Sequence, residues 1–345
     1  MIDQFQKISK PIESDLNDFN VFFVESLNSD VKIINTVIKY IVRKKGKRLR
    51  PKLCLLSAKI CGKVNINTHK AASLLEILHV ATLIHDDVVD ESDLRRGWPS
   101  VNRIWKNKLS VLVGDFLFSK ALTNMADINS IEAVKILADL ASRLSQGEIL
   151  QIEKAFKKDM DEKTYFKMIS DKTASLFSAS CQLGAITATD NKDQIAALYD
   201  FGEYLGQAFQ IKDDLFDITG NINNTGKPSG YDLKRNMLTL PLIYILNQKS
   251  AIEKASFKIR LKTLSKQNKL DKIRDIVINE GGIEYSNKKL QEISELAMDK
   301  LTIFDNNDLK DTFRLVLEFN TGISIVNKTI VIPIKNRNNL PVLLD

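Results

Sequence analysis

Two acidic clusters stand out in the 345-residue sequence, Asp86-Asp87-Val88-Val89-Asp90 and Asp213-Asp214-Leu215-Phe216-Asp217. On a helix turning about 100° per residue, Asp86 and Asp90 lie roughly 40° apart on one face, one turn from each other. Carboxylates held that way repel unless a cation sits between them. Hard divalent ions such as Mg2+ take one or two carboxylates and fill the rest of their shell with substrate phosphate oxygens. A single D-D-x-x-D could be an acidic helix end facing water. Two copies, each closing a strongly apolar run, point instead to a paired metal site. Cations accompany them. Lys44-Lys45-Gly46-Lys47-Arg48-Leu49-Arg50-Pro51 lies upstream, and Arg95-Arg96-Gly97 follows the first cluster. Either run alone could be a solvated surface. Beside metal-binding acids they suit a diphosphate, because the ion neutralises some oxygens and guanidinium groups fork the others.

Helices must position these groups. Ala71 to Ala81 is apolar nearly all round, which predicts a buried helix ending in the first cluster. Leu205 to Lys212 leads into the second cluster in the same way. Ile131 to Gln151 is amphipathic with a period of 3.6, and 193–217, 238–247 and 285–304 read alike. Breaks fall at Gly62, at Gly97-Trp98-Pro99, across 220–230 and at Gly281-Gly282. The 220–230 segment, rich in Gly and Asn, is expected to be a mobile loop. No linker, solenoid repeat or run of alternating strands interrupts 1–320, which predicts one large all-α domain. The tail 321–345 is β-branched and carries Pro333 and Pro341, so it is expected to be non-helical.

Composition narrows the class. With 44% hydrophobic and 27% charged residues, 14 Gly and 7 Pro, collagen-like and wholly disordered chains are excluded. The net charge of +7 suits nucleic acid, an anionic surface or a phosphorylated substrate. No nucleic-acid motif accompanies it, so nucleic acid is not expected as a partner. Lys far outnumbers Arg, a skew typical of an AT-rich genome. Three Cys without a pairable framework predict free thiols in a reducing compartment. The polar N-terminus lacks a secretory h-region, and the longest apolar stretch, Leu74 to Ile84, is broken by Glu76 and His79. A soluble intracellular protein is expected.

The stretch from His79 to Gly97 resembles the first aspartate-rich motif of the trans-isoprenyl (polyprenyl) diphosphate synthase family, and Gly206 to Asp217 resembles the second. Gly46 to Pro51, Gly114-Asp-Phe-Leu117 and Lys172-Thr173 match further landmarks of that family, in its order, over roughly residues 12–320. The resemblance implies a single large orthogonal helical bundle of the isoprenoid synthase type around a central apolar cavity. It implies an enzyme that repeatedly condenses isopentenyl diphosphate with an allylic diphosphate. In such enzymes Mg2+, three ions once substrate is bound, draws charge from the leaving diphosphate so that an allylic cation forms. The isopentenyl double bond then attacks the cation, and a proton is lost.

By motif position, Asp86, Asp90 and Asp213 would be the principal metal ligands, with Asp87, Asp214 and Asp217 ligating or standing behind them. Lys172 joins the catalytic set. Lys47, Arg50, His79 and Arg96 would bind isopentenyl diphosphate, and Arg95, Lys172, Thr173, Gln210 and Lys227 the allylic diphosphate. Packing offers alternatives: His79 as a core histidine, Thr173 as a plain helix residue, Gln210 as a buried amide bonded to backbone. His85 is equally a structural residue or a support for Asp86. Ala81 and Thr82, one turn before Asp86, are both small, which in this family is similar to long-chain enzymes, although small residues also serve close packing.

The resemblance also implies a homodimer, and peripheral membrane contact as a greasy product leaves. Lys227 to Leu233 and Leu238-Thr239 resemble the cyanobacterial and plastid branch, which makes quinone side chains. Together with the composition and the missing transit peptide, this suggests a plastid-encoded stromal enzyme, with a bacterial cytoplasmic one as the alternative. Asn236-Met237 and Lys45 depart from the family pattern, and the tail from Gly322 has no counterpart in it. Competing functions are a catalytically silent partner subunit, a medium-chain geranylgeranyl synthase, and a cyclase or head-to-head enzyme. Lys47, Arg50 and Arg96 argue against the last.

Overall fold

Helix α5 (Ile66–Val89) organises the molecule. Its start is fixed by a capping box: the Asn65 side chain accepts from the Asn67 and Thr68 amides, while Thr68 Oγ1 accepts from the Asn65 amide at 3.2 Å. Orphan donors of the first turn are thereby satisfied. Ala71, Ala72, Leu74, Leu75, Ile77, Leu78, Ala81 and Ile84 are all buried, so α5 needs neighbours on every side. It finds them in α2 (Glu13–Ser26), α4 (Leu49–Cys61), α6 (Val101–Ala126) and α9 (Ser175–Ile186). Ala81 is 1% exposed, too little for a water-sized space beside it. Core side chains therefore pack directly against Ala81, where an empty apolar void would forfeit dispersion contacts.

The computed structural model describes residues 2–43, 46–95, 97–219, 237–267, 269–326 and 329–331. The remaining helices are α1 (Ile2–Ser9), α3 (Lys32–Arg43), α7 (Ile131–Lys157), α8 (Glu162–Ile169), α10 (Lys192–Thr219), α11 (Leu240–Asn247), α12 (Ala251–Lys266), α13 (Leu270–Asn279), α14 (Gly282–Lys300) and α15 (Asn307–Thr321). Helix α10 packs on α9 and α14 and carries the second acidic cluster. The all-α bundle is as expected. Helix α11 begins at Leu240 rather than Leu238, because Pro241 is tolerated only in a first turn.

Short strands punctuate the helices. At the predicted break, β1 (Leu94–Arg95) and β2 (Trp98–Pro99) pair antiparallel around Gly97, whose φ of 75° suits glycine. Helix α15 ends at Gly322 (φ 69°), and β3 (Ser324–Val326) then pairs antiparallel with β4 (Thr329–Val331). The start of the tail is therefore non-helical. The 220–230 segment expected to be a loop lies outside the described residues. Among the described residues, no helix is long and apolar enough to cross a membrane.

One core residue carries a desolvation penalty. Lys52 on α4 is 2% exposed, and its Nζ sits 3.1 Å from the Phe5 ring centroid with no hydrogen-bond partner. Burial pushes the Lys52 amine down from 10.5 to about 8. Lys52→Met should therefore raise stability at pH 7 by about 1 kcal/mol, since a buried charge is exchanged for an apolar chain of similar length. The folded pKa lies below the unfolded one, so between pH 8 and 10.5 the unfolded chain binds more protons and wild-type stability rises with pH. The advantage of the Met variant should shrink across that window in thermal unfolding at pH 7, 9 and 10. A Met variant that unfolds earlier at pH 7 would contradict this account.

Candidate active site

The first acidic cluster closes α5. Asp90 caps the helix with its amide on Asp86 O at 2.7 Å. Asp87 turns inward and is buried; its Oδ1 accepts from Arg95 Nε at 2.7 Å, and its carbonyl accepts from Asn102 Nδ2 at 3.2 Å. The β1–β2 hairpin, held where Ser100 Oγ donates to Ser92 O at 2.6 Å, folds Arg95 back over the helix end. Asp86 is half-buried beside Arg95 and Lys172. Its carboxyl is pushed up to about 6, chiefly by burial, then by Glu148; Lys172 and Arg95 oppose the rise, and Asp90 adds to it. Burial thus sets the direction of the shift, with two carboxylates and two cations acting against each other around it.

The second wall is formed by a distorted helix. Between α8 and α9, Ser170–Ala174 takes a π-turn in which the Ser175 amide reaches back five residues to Ser170 O. Such bulges re-aim the side chains they carry and recur at functional sites. Here they are Lys172 and Thr173. Lys172 Nζ lies 2.5 Å from Glu148 Oε2 and 2.9 Å from Gln151 Oε1, both on one face of α7. Helices α7 and α10 approach the turn closely through glycines. A Cβ on Gly147 would stand 2.5 Å from Lys172 N, and one on Gly206 2.4 Å from Ala174 Cα. Any side chain there would push the turn away.

The third wall is α10. Asp214 is buried and accepts from Tyr165 Oη at 2.7 Å and from Gln210 Nε2 at 2.8 Å. Gln210 Oε1 in turn accepts from Thr173 Oγ1 at 2.7 Å. Asp213 is exposed and Asp217 half-buried, one turn apart on α10. The two clusters are therefore linked through the π-turn: Asp86 feels Lys172, and the next residue reaches Asp214 through Gln210.

The other expected site residues fall into smaller groups. Arg50 Nη1 lies 3.0 Å from His79 Nε2, and its guanidinium stacks 5.1 Å from the Phe177 centroid. Lys47 sits over Phe319 at 5.0 Å. His85 reaches across to α6, 3.3 Å from Val111 O and 3.5 Å from Asp115 Oδ1. Thr82 Oγ1 donates to His79 O at 2.9 Å, and Ala81 is in the core. Gln210 is bonded to side chains, not to backbone. Arg96 and Lys227 lie outside the described residues. Sequence reasoning missed Glu148, Gln151 and Tyr165. The first two share a helix face by their spacing, but nothing local ties them to Lys172.

Among the described residues, no three His, Cys, Asp or Glu side chains form a closed metal cage. The carboxylates come in pairs at two helix ends, the arrangement a hard divalent cation needs when phosphate oxygens complete its shell. Cys54 and Cys181 are buried in the core and burial pushes the Cys61 thiol up to about 12, so none of the three offers a soft thiolate near neutral pH. The donor set fits a hard divalent cation bound together with a diphosphate.

Known proteins share this fold. The polyprenyl synthetase family model matches residues 31–277. The chain is 35% identical over 309 residues to octaprenyl diphosphate synthase of Haemophilus influenzae, covering 90% of this chain and 93% of that one. It is 31% identical over 315 residues to a prenyl transferase of Cyanophora paradoxa, covering 90% and 96%. The polyprenyl synthase of Caulobacter crescentus, solved with calcium and isoprenyl diphosphate, superimposes with a TM-score of 0.84 at 32% identity, covering 93% of this chain and 98% of that one. A match of this extent, running through both aspartate-bearing helices and the π-turn between them, means that the chain belongs to the polyprenyl synthetase family.

Proposed function

We propose that the protein is a Mg2+-dependent trans-polyprenyl diphosphate synthase, lengthening an allylic diphosphate by successive isopentenyl units. The observation that carries this reading is the linkage of the two acidic helix ends through Lys172, Thr173 and Gln210. Mg2+ held there would supply positive charge to the departing diphosphate. Asp86 and Asp90 on one side, and Asp213 with Asp217 on the other, would hold the ions. Glu148 and Gln151 keep Lys172 aimed at the same space, and Asp87 does so for Arg95. These donors are placed before substrate arrives, so little reorganisation is needed when charge develops. Lys47 and the Arg50–His79 pair would hold isopentenyl diphosphate, with Arg96 and Lys227 completing the two sites.

The same reading extends to a long-chain product for a quinone side chain, supported by the small Ala81 and Thr82 below Asp86. A homodimer is supported by exposed apolar side chains on α6 and α7, among them Leu112, Leu122, Ile131 and Val134. The plastid stroma is the proposed location, supported by the loop resemblance at Lys227 to Leu233, with a bacterial cytoplasm as the alternative. The deciding experiment is incubation of the purified chain with isopentenyl and farnesyl diphosphates and Mg2+, followed by chromatography of the lipids. Long polyprenyl diphosphates are expected. A chain that lengthens no primer alone, but does so with a second subunit, would be the silent-partner type instead.

A further inference from the structure

Arg143 lies on α7, one turn before Gly147, and divides its guanidinium between the root of the π-turn and α10. Its Nε donates to Asp171 Oδ1 at 3.1 Å and its Nη1 to Tyr199 Oη at 3.0 Å. Its Nη2 donates to Ser170 O at 3.1 Å, to Ser170 Oγ at 2.8 Å and to Glu203 Oε2 at 3.0 Å. Ser170 Oγ donates on to the other oxygen of Glu203, and Lys167 pairs with Asp171. The side chains of Arg143, Asp171 and Glu203 are 16%, 6% and 14% exposed, so these bonds are shielded from water. Two cations face two carboxylates, which leaves no surplus charge to hold a phosphate. The network's output is geometry.

That geometry is specific. Ser170 O is the carbonyl that the Ser175 amide meets in π register, and Arg143 bonds to it directly. π-Turns are rare in isolation and need outside support. Losing the guanidinium would leave Asp171 and Glu203 buried without their shared cation. Relaxation of the turn to ordinary α register would rotate Lys172 and Thr173 by about 100° about the helix axis.

We propose that Arg143, together with Glu203, is a positioning pair that locks the π-turn and thereby sets the affinity of Lys172 and Thr173 for the allylic diphosphate. This rests on the function proposed above. The test compares Arg143→Lys, which keeps the charge but loses the fork, with the milder Glu203→Gln. KM is measured separately for the allylic primer and for isopentenyl diphosphate, and calorimetry measures binding of pyrophosphate with Mg2+. Arg143→Lys should raise the primer KM and the pyrophosphate Kd about tenfold, leaving the isopentenyl KM within about twofold, with Glu203→Gln in the same direction. Unchanged primer KM and pyrophosphate affinity, or a lowered melting temperature with both constants intact, would overturn the proposal. If the wild type bound pyrophosphate with Mg2+ yet lengthened no primer, the functional reading would fall, and the pyrophosphate ratio would still decide the clamp.

Discussion

Asp86→Ala should lower kcat/KM by about three orders of magnitude or more, a loss of roughly 4 kcal/mol of transition-state stabilisation at about 1.4 kcal/mol per tenfold. Asp86 stands where burial and two neighbouring carboxylates raise its pKa to about 6, and where Lys172 and Arg95 meet them. A carboxylate so crowded gains most when a divalent cation arrives, so its removal should cost more than removal of an exposed aspartate. Asp86→Asn keeps the shape and should lose nearly as much, which separates charge from packing. Proton and metal compete for the same oxygens. Below about pH 6 the protonated form predominates, and the Mg2+ concentration for half-maximal rate should climb. Near-normal turnover in either variant at saturating Mg2+ would remove Asp86 from the metal site.

The six aspartates look equivalent in sequence, and the fold divides them. Asp87 and Asp214 each follow the first acid of a cluster, and at about 100° per residue they turn into the protein. There they meet Arg95, and Tyr165 with Gln210. Spacing could not reveal this, because it depends on which helix face is buried. Helix α5 was legible from its nearly all-round apolar surface and α10 from its period, since local composition decides both. The π-turn was not. It has no composition of its own, and the Gly147 and Gly206 that let α7 and α10 close on it from either side lie far from it in sequence. The Lys172–Glu148 and Arg50–His79 contacts join residues distant in sequence, and one chain carries no signal for such pairs. Motif order located Lys172, Thr173 and Gln210, and only the structure showed that Thr173 and Gln210 are bonded to each other.

On the proposed long-chain reading, Ala81→Phe should shorten the product by several isoprene units. A prenyl tail growing from a diphosphate held at Asp86 must run back along α5, past Thr82 and then Ala81. Thr82 is half-buried and lies about 40° from Asp86 around the helix, so it meets the tail first. Ala81, deeper and 1% exposed, is already enclosed by core side chains, which the tail must part as it lengthens. A ring at Ala81 has no free space to enter. It costs about 1–3 kcal/mol in overpacking and fills the path that the parted side chains would open. Thr82→Phe, at a roomier position, should shorten the product with less loss of stability. Both variants should keep primer turnover while the longest lipid in the chromatogram moves to fewer isoprene units. If both fold and still yield the wild-type chain length, the tail passes neither Thr82 nor Ala81, and the small residues before Asp86 serve packing alone.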